Sequence, residues 1–561
     1  MAYALLKSPS AVSLVAPLPQ PKKTSRFAAL ICRRVNVALA CCLWASSSFA
    51  LECREWQGDT SALEGKTIGT VSVIARDIFN TALQEESRWV HRLANNLHYQ
   101  TRRETVAKLL LFAEGDLFSQ RVLDESERLL RAQRFLASAD IRVLQVCGEQ
   151  VWIRVQTNDT WSTIPEVSLS RVAGESQRKI ALEENNLFGR GQELAFSFED
   201  DIDRTSRTLK YKHRDWNGKR RLLEVEFQNN EDGERYELSI AKPFYSLNDT
   251  RSWGVAGHFG RLSAELYDDG EEVESMGMEQ RYLDINRSWS RGLQNKKLDR
   301  WTAGFRIDER SFYLVDDSVA SEPFENRRER FPYIRLEHID EAFVEMRHIR
   351  QLTGIEDINL GKQYSVEIGY GTRAWGASLD GLMLQINYKR GKRWRGDSLL
   401  LTDAWFETQI ASGDLLHQRI GARGQLHKRI SEKEQFFVEL MLDTGHELHP
   451  EVQLALGGET GLRGYEFREQ TGNRLARLTT ELRHYPDWHP WHLLRFGAAL
   501  FVDYGSAWTA GGQSPDWLWD VGIGLRLGSS RSSSGRVLHL DFAAPEGRGK
   551  PQWTATAKLH F

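Results

Sequence analysis

From about residue 163 to the C-terminus, apolar residues recur at every second position between polar or glycine-rich breaks. Tyr364, Val366, Ile368 and Tyr370 fall on one face of an extended chain, with Ser365, Glu367 and Gly369 on the other. Leu382, Leu384, Ile386 and Tyr388 repeat the pattern against Gln385, Asn387 and Lys389, and Trp301, Ala303, Phe305 and Ile307 oppose Arg306 and Asp308. A period of two predicts strands with one apolar face. Residues 67–159 differ, because they alone carry a convincing helical period. Thr67–Ile74 alternates as a strand, and Thr101-Arg102-Arg103-Glu104 opens a short helix with Val106, Leu109 and Leu110 that Gly115-Asp116 ends. A second helix starts at Ser119, with Val122, Leu123, Ser126, Leu129, Leu130 and Phe135 on one stripe and Arg121, Glu125, Arg128 and Arg131 on the side expected to be wet. Two strands follow, Asp140 to Cys147 and Gln150 to Asp159.

Nearly 400 residues of alternating strands exceed a usual single β-sandwich. A closed barrel with lipid outside and water inside accounts for them better, because such strands need only every second residue apolar. Composition agrees. The chain is 41% hydrophobic and 27% charged over 561 residues, far too polar for a helical membrane protein. Its net charge of -3 favours no particular partner, and nucleic acid is not indicated.

The N-terminus reads as a secretory signal over residues 1–50. Lys22, Lys23, Arg26, Arg33 and Arg34 precede the apolar run Val35 to Trp44, and Ser48-Phe49-Ala50 offers a cleavage site. The apolar run is about half the ~20 residues of a spanning helix. The long stretch before it leaves a start downstream of Met1 open. Cys32, Cys41 and Cys42 leave with the signal, so Cys53 and Cys147 remain in an oxidising compartment and are expected to form a disulfide. A lipid anchor at Cys41 is the alternative, weakened by the poor match of Ala38-Leu39-Ala40 to a lipobox.

One stretch stands out within the alternating region: Gly457-Gly458-Glu459-Thr460-Gly461-Leu462-Arg463-Gly464-Tyr465. Its Leu462, Arg463, Gly464 and Tyr465 resemble the sixth-loop signature of the BamA/TamA superfamily of outer-membrane barrels, which includes the two-partner secretion transporters. Phe501-Val502-Asp503-Tyr504-Gly505, Gly522-Ile523-Gly524-Leu525-Arg526 and a terminal aromatic, Phe561, follow in the order of that family. The segment around Asn186, Leu187, Gly189 and Gly191 resembles its first periplasmic turn, and Lys242-Pro243-Phe244-Tyr245 a second. The order of elements in 67–160 resembles a POTRA domain, as do Glu114-Gly115-Asp116 and Glu125 to Arg131. Only one such module fits, whereas those relatives carry several. The resemblance implies a mainly β fold: a leader at 1–50, an N-terminal segment at 51–66, one small α+β POTRA domain at 67–160 and a 16-stranded antiparallel transmembrane β-barrel at 161–561. A strand-by-strand count gives roughly twenty, always an even number in such barrels. Sixteen is adopted, with the hairpins around residues 206–240 expected to be miscounted.

Parity assigns the barrel's inner face near the motif. Phe496, Ala498, Leu500, Val502 and Tyr504 point to lipid, which turns Asp503 inward; Leu478, Thr480 and Leu482 point out, which turns Glu481 and Arg483 inward. In the family the loop arginine contacts inward acidic residues of the next two strands, so Arg463 is expected to be held by Glu481 and Asp503. Arg483 and Arg526 also face inward and compete for Asp503, and a solvated Arg463 without contacts is the plainer alternative. The last strand ends on Leu559 and Phe561, resembling the C-terminal signal by which such barrels are recognised for insertion.

No Gly-x-Ser-x-Gly elbow, phosphate loop or zinc-ligand spacing appears, so no enzyme activity, metal or cofactor is expected. The resemblance implies a factor that captures unfolded polypeptides at its POTRA domain, in the periplasm, and passes them through or along the barrel seam in the outer membrane. Its partners would be outer-membrane lipids and unfolded or secreted polypeptide clients, with accessory periplasmic or lipoprotein subunits left open. A dedicated pore for one secreted protein, lipid transfer and a passive channel are the alternatives.

Overall fold

A computed structural model describes residues 53–172, 175–201, 203–315, 324–394, 398–512, 514–532, 537–547 and 550–558. The expected signal segment and the terminal pair Leu559 and Phe561 lie outside the described residues.

The first part is a four-stranded sheet in the order β1 (Cys53–Glu55), β3 (Leu136–Cys147), β4 (Gln150–Asp159), β2 (Thr67–Arg76). Strands β3 and β4 form a hairpin, and β2 runs parallel to β4. Three helices accompany it: α1 (Trp89–Leu97), α2 (Arg103–Leu109) and α3 (Gln120–Arg131). Val106 of α2 and Leu123 and Leu130 of α3 are buried against Ile68, Val151, Ile153 and Val155 of the sheet. Each such side chain contributes about 1.5–3 kcal/mol of burial. Leu63 and Trp56 join that core, so the segment before residue 67 belongs to the same unit. The helix α1 escaped the sequence reading because its apolar residues do not point into a core.

The second part is a closed antiparallel barrel of twenty strands among the described residues, not sixteen. The stretch expected to be miscounted forms three full members of the wall, Thr205–Trp216, Arg221–Asn230 and Gly233–Lys242. Each carries a genuine outward apolar row, with Leu209, Val225, Tyr236 and Leu238 exposed. Among the described residues twenty amphipathic strands form the wall, each paired on both sides. Around the wall the outward faces expose Leu500, Val502, Tyr504, Val521, Ile523 and Leu525, while Asp503, Asp520 and Arg526 are buried inside. An apolar exterior around a polar interior is the pattern of a barrel that spans a bilayer. No helix among the described residues is long and apolar enough to cross a membrane.

The small domain sits at one end of the barrel and is fastened to its turns. The α3 face expected to be wet makes this joint: Glu125 is buried and accepts hydrogen bonds from Ser246 Oγ (2.9 Å) and the Leu247 N–H (2.7 Å). Arg128 pairs with Glu341 at 2.9 Å and Arg131 with Asp357 at 2.7 Å, both in the segment between barrel strands Arg327–Asp340 and Gln363–Gly371.

Candidate functional site

The loop between strands Glu434–His446 and Arg474–His484 folds back into the barrel. Its course is dictated by glycine: Gly457 and Gly461 sit at φ 128° and 123°, a region L side chains rarely adopt. Leu462, at φ 57°, is fully buried with Leu454, Leu456, Tyr465, Leu475, Ala507 and Leu518. This apolar knot fixes the backbone on either side of Arg463. Gly464 lies so close to the wall that a Cβ there would meet Asp520 Cβ at 2.9 Å and Pro545 N at 3.1 Å. Its N–H donates to Asp520 Oδ2 at 3.0 Å, and the Tyr465 hydroxyl donates to the Trp519 carbonyl at 3.0 Å.

Arg463 is thereby delivered to a carboxylate cage. Its Nε and Nη2 donate to Asp503 at 2.7 and 3.1 Å, and Nη1 lies 3.0 Å from Glu481 and 3.6 Å from Asp541. The guanidinium carbon stands 3.4 Å from the Phe501 ring centroid. A planar fork satisfies two carboxylates at once, which a lysine ammonium cannot reproduce. Of the competing arginines, Arg483 donates to Glu481 at 2.8 Å, and Arg526, fully buried, pairs with Asp541. The structure brings Leu462, Arg463, Gly464, Tyr465, Glu481 and Asp503 into one cluster.

Asp520 and Asp541 also belong to this cluster, and the sequence reading passed them over. The same parity finds both, since Asp520 alternates with Val521 and Ile523, and Asp541 with Leu540 and Phe542; the family resemblance names acidic partners on two strands, whereas four contribute.

The loop is also tied to the opposite wall. Glu451 pairs with Arg310 and Arg327 at 2.8 and 2.6 Å, Gln453 exchanges two hydrogen bonds with the Tyr267 backbone, and Arg468 forks onto Asp203 at 2.9 and 2.7 Å. Arg310, Arg327 and Tyr267 belong to strands Lys297–Tyr313, Arg327–Asp340 and Arg251–Asp268. The loop thus bridges the lumen from the C-terminal strands to the middle of the chain.

The predicted turn is a joint with the small domain. Asn186 is fully buried, accepts from the Gly191 N–H at 2.8 Å and donates to Thr101 Oγ1 at 2.9 Å. The Gly189 carbonyl accepts from the Arg102 N–H and Thr105 Oγ1, and a Cβ on Gly191 would meet the Phe135 ring at 2.9 Å. Leu187 is half-buried in the same turn. Cys53 and Cys147 face one another across β1 and β3 and are joined in a disulfide. Among the described residues no group of three or more metal-ligating side chains forms.

The fold is similar to several solved barrels. CdiB from Escherichia coli aligns at 14% identity over 90% of this chain and 80% of its own, with a TM-score of 0.45. CdiB from Acinetobacter baumannii aligns at 12% identity over 88% and 73%, with a TM-score of 0.42. BamA from Haemophilus ducreyi lacking POTRA domains 1-3 aligns at 10% identity over 87% and 83%, with a TM-score of 0.36. No protein-family model matches the chain, and no curated protein matches it in sequence.

Proposed function

We propose that the chain is an outer-membrane factor that inserts or translocates other polypeptides, its small domain being a single POTRA module that receives unfolded clients in the periplasm. The observation that carries this reading is the closure of the barrel. Among the described residues the last strand, Gln552–Lys558, pairs with the first, Thr163–Val172, through three residue pairs only: Trp553 with Arg171, Thr554 with Ser170 and Ala555 with Leu169. The neighbouring joints hold seven and ten pairs. Along the described residues of the two strands the ladder is short, and an interrupted ladder is where an incoming strand can pair. The lumen arginine cage supports the same reading, because it stiffens the wall formed by the strands just before the seam. No ATP is available in that compartment, so the folding of the client supplies the driving force.

The test is a lock across the seam. Ser170→Cys with Thr554→Cys, registered partners, is oxidised in the assembled barrel, and client insertion or secretion is followed in cells and in proteoliposomes. Loss of transport on oxidation and its return on reduction support a route at the seam. Undiminished transport by the locked barrel sinks it. Loss of many barrels on depletion identifies a general assembly factor, and loss of one secreted protein a dedicated transporter.

A further inference from the structure

Helix α1 is built inside out. Trp89, Leu93 and Leu97 stand a turn apart on one face and are 69%, 46% and 62% exposed, while the face turned to the protein carries His91 and Asn95. His91 is buried, stacks on Phe79 at 4.5 Å and places Nε2 3.1 Å from the Trp491 carbonyl. Asn95 accepts from the Phe79 N–H at 3.1 Å and donates to its carbonyl at 2.9 Å. A helix meeting only water buries its leucines and shows its amides. The inversion calls for an apolar environment on the outside.

The surroundings identify that environment. Trp491 and Trp488, both exposed, lie in the turn leading into strand Leu494–Trp508, and Trp488 stacks on Phe496 at 4.4 Å. Phe496 begins the outward row that continues through Leu500 and Val502, so the helix joins the barrel's apolar exterior through this turn. Past its C-terminal end Tyr99 meets Phe188 edge-on at 5.7 Å in the turn after strand Glu175–Glu184, and ahead of its N-terminal end Arg531, just past strand Leu518–Ser529, holds Glu86 and the Ile78 carbonyl. These turns lie on both sides of the closing seam. Arg88 and Arg92 flank the stripe and are exposed.

We propose that α1 is an interfacial helix bound to the periplasmic leaflet of the membrane beneath the seam, with Trp89, Leu93 and Leu97 among the acyl chains and Arg88 and Arg92 at anionic lipid phosphates. This rests on the reading of the barrel as spanning the outer membrane with the small domain in the periplasm. The exposed Trp488 and Trp491 of the adjacent turn, at the level of the headgroups, and arginine beside them suit this position.

The test places an environment-sensitive fluorophore on Leu93→Cys and, as a water-exposed reference, on Glu149→Cys in the β3–β4 turn. The full chain is reconstituted in phosphatidylethanolamine–phosphatidylglycerol vesicles containing spin-labelled lipid, and insertion is verified separately by flotation and protease protection. The label at position 93 is expected to be quenched by the spin-labelled lipid several-fold more strongly than that at 149, with the difference reduced by Arg88→Gln with Arg92→Gln. Equal quenching at both positions in an inserted barrel overturns the proposal. So does shielding of position 93 that appears only on adding an unfolded polypeptide, which assigns the stripe to clients. Failure of the barrel to insert at all overturns the membrane reading and this inference with it.

Discussion

At the residue scale the decisive group is Arg463. Asp503 and Glu481 are buried; removing the fork takes the bidentate cation from Asp503 and leaves Glu481 with Arg483 alone among the described residues. Breaking one side of a buried ion pair costs about 3–5 kcal/mol, because the partner charge stays behind uncompensated. Arg463→Ala is therefore expected to lower the urea midpoint of the micelle-bound barrel. Arg463→Lys recovers only part of the loss, since an ammonium reaches Asp503 or Glu481 but not both in the same geometry. Full recovery by lysine would mean that charge, not the fork, holds the loop. Outside the wall, Glu356 in the segment that meets α3 is held above the usual carboxylate range, burial outweighing the three backbone N–H groups of Ile349, Arg350 and Gln351 that it accepts from. Its folded form keeps a proton that the unfolded chain has already released. It follows that the contribution of Glu356 to stability is greatest at the acid end and declines as the pH rises from about 4, the unfolded value, through the raised folded one. The stability difference between wild type and Glu356→Gln should grow over that window, and a difference constant with pH would refute the assignment.

At the scale of elements, β1 is three residues long and tied to the domain by its disulfide. The bridge closes 94 residues of chain, so replacing Cys53 and Cys147 together by Ser should destabilise the small domain by about 2–5 kcal/mol, read as faster proteolysis around β1 and α3. The pairing could be anticipated because only these two cysteines follow the expected cleavage site. Much else at this scale was legible too. Period-two alternation placed Glu481 and Asp503 inside the wall, and Ser119 with its apolar stripe marked α3. Three things were not legible, each for a physical reason. The number of strands is a property of closure, which alternation within one strand does not encode, so a count borrowed from a resemblance displaced the better count from the residues. The polar side of α3 looked wet because Glu125, Arg128 and Arg131 are charged; their partners, Ser246, Glu341 and Asp357, lie far along the chain. Helix α1 was missed because the usual rule sends leucines inward, and here they point out.

At the scale of the whole molecule, the loop that carries Arg463 crosses the lumen. It is fastened on one side to four consecutive C-terminal strands and on the other, through Glu451 and Gln453, to the wall built by residues 251–340 and, through Arg468, to Asp203 in the turn before strand Thr205–Trp216. A pore for passive diffusion keeps its lumen clear, whereas this one is spanned by a strap with ion pairs at both ends. The two attachments differ in character. The arginine cage is buried and backed by an apolar knot; on the other side Glu451 is buried as well, and Arg468 with Asp203, about a quarter exposed, is the pair weakened by solvent screening. Motion of the strap should then begin at the Asp203 side with the Arg463 side as its hinge. Glu451→Ala combined with Arg468→Ala is expected to raise single-channel conductance in planar bilayers and to lengthen open events while leaving the barrel folded. Added salt should reproduce part of the effect in the wild-type chain. Arg463→Ala alone should instead destabilise the wall before it opens the lumen. If the double variant conducts no better than wild type, the strap does not limit passage, and the constriction has to be sought where the small domain meets the turns at the other end.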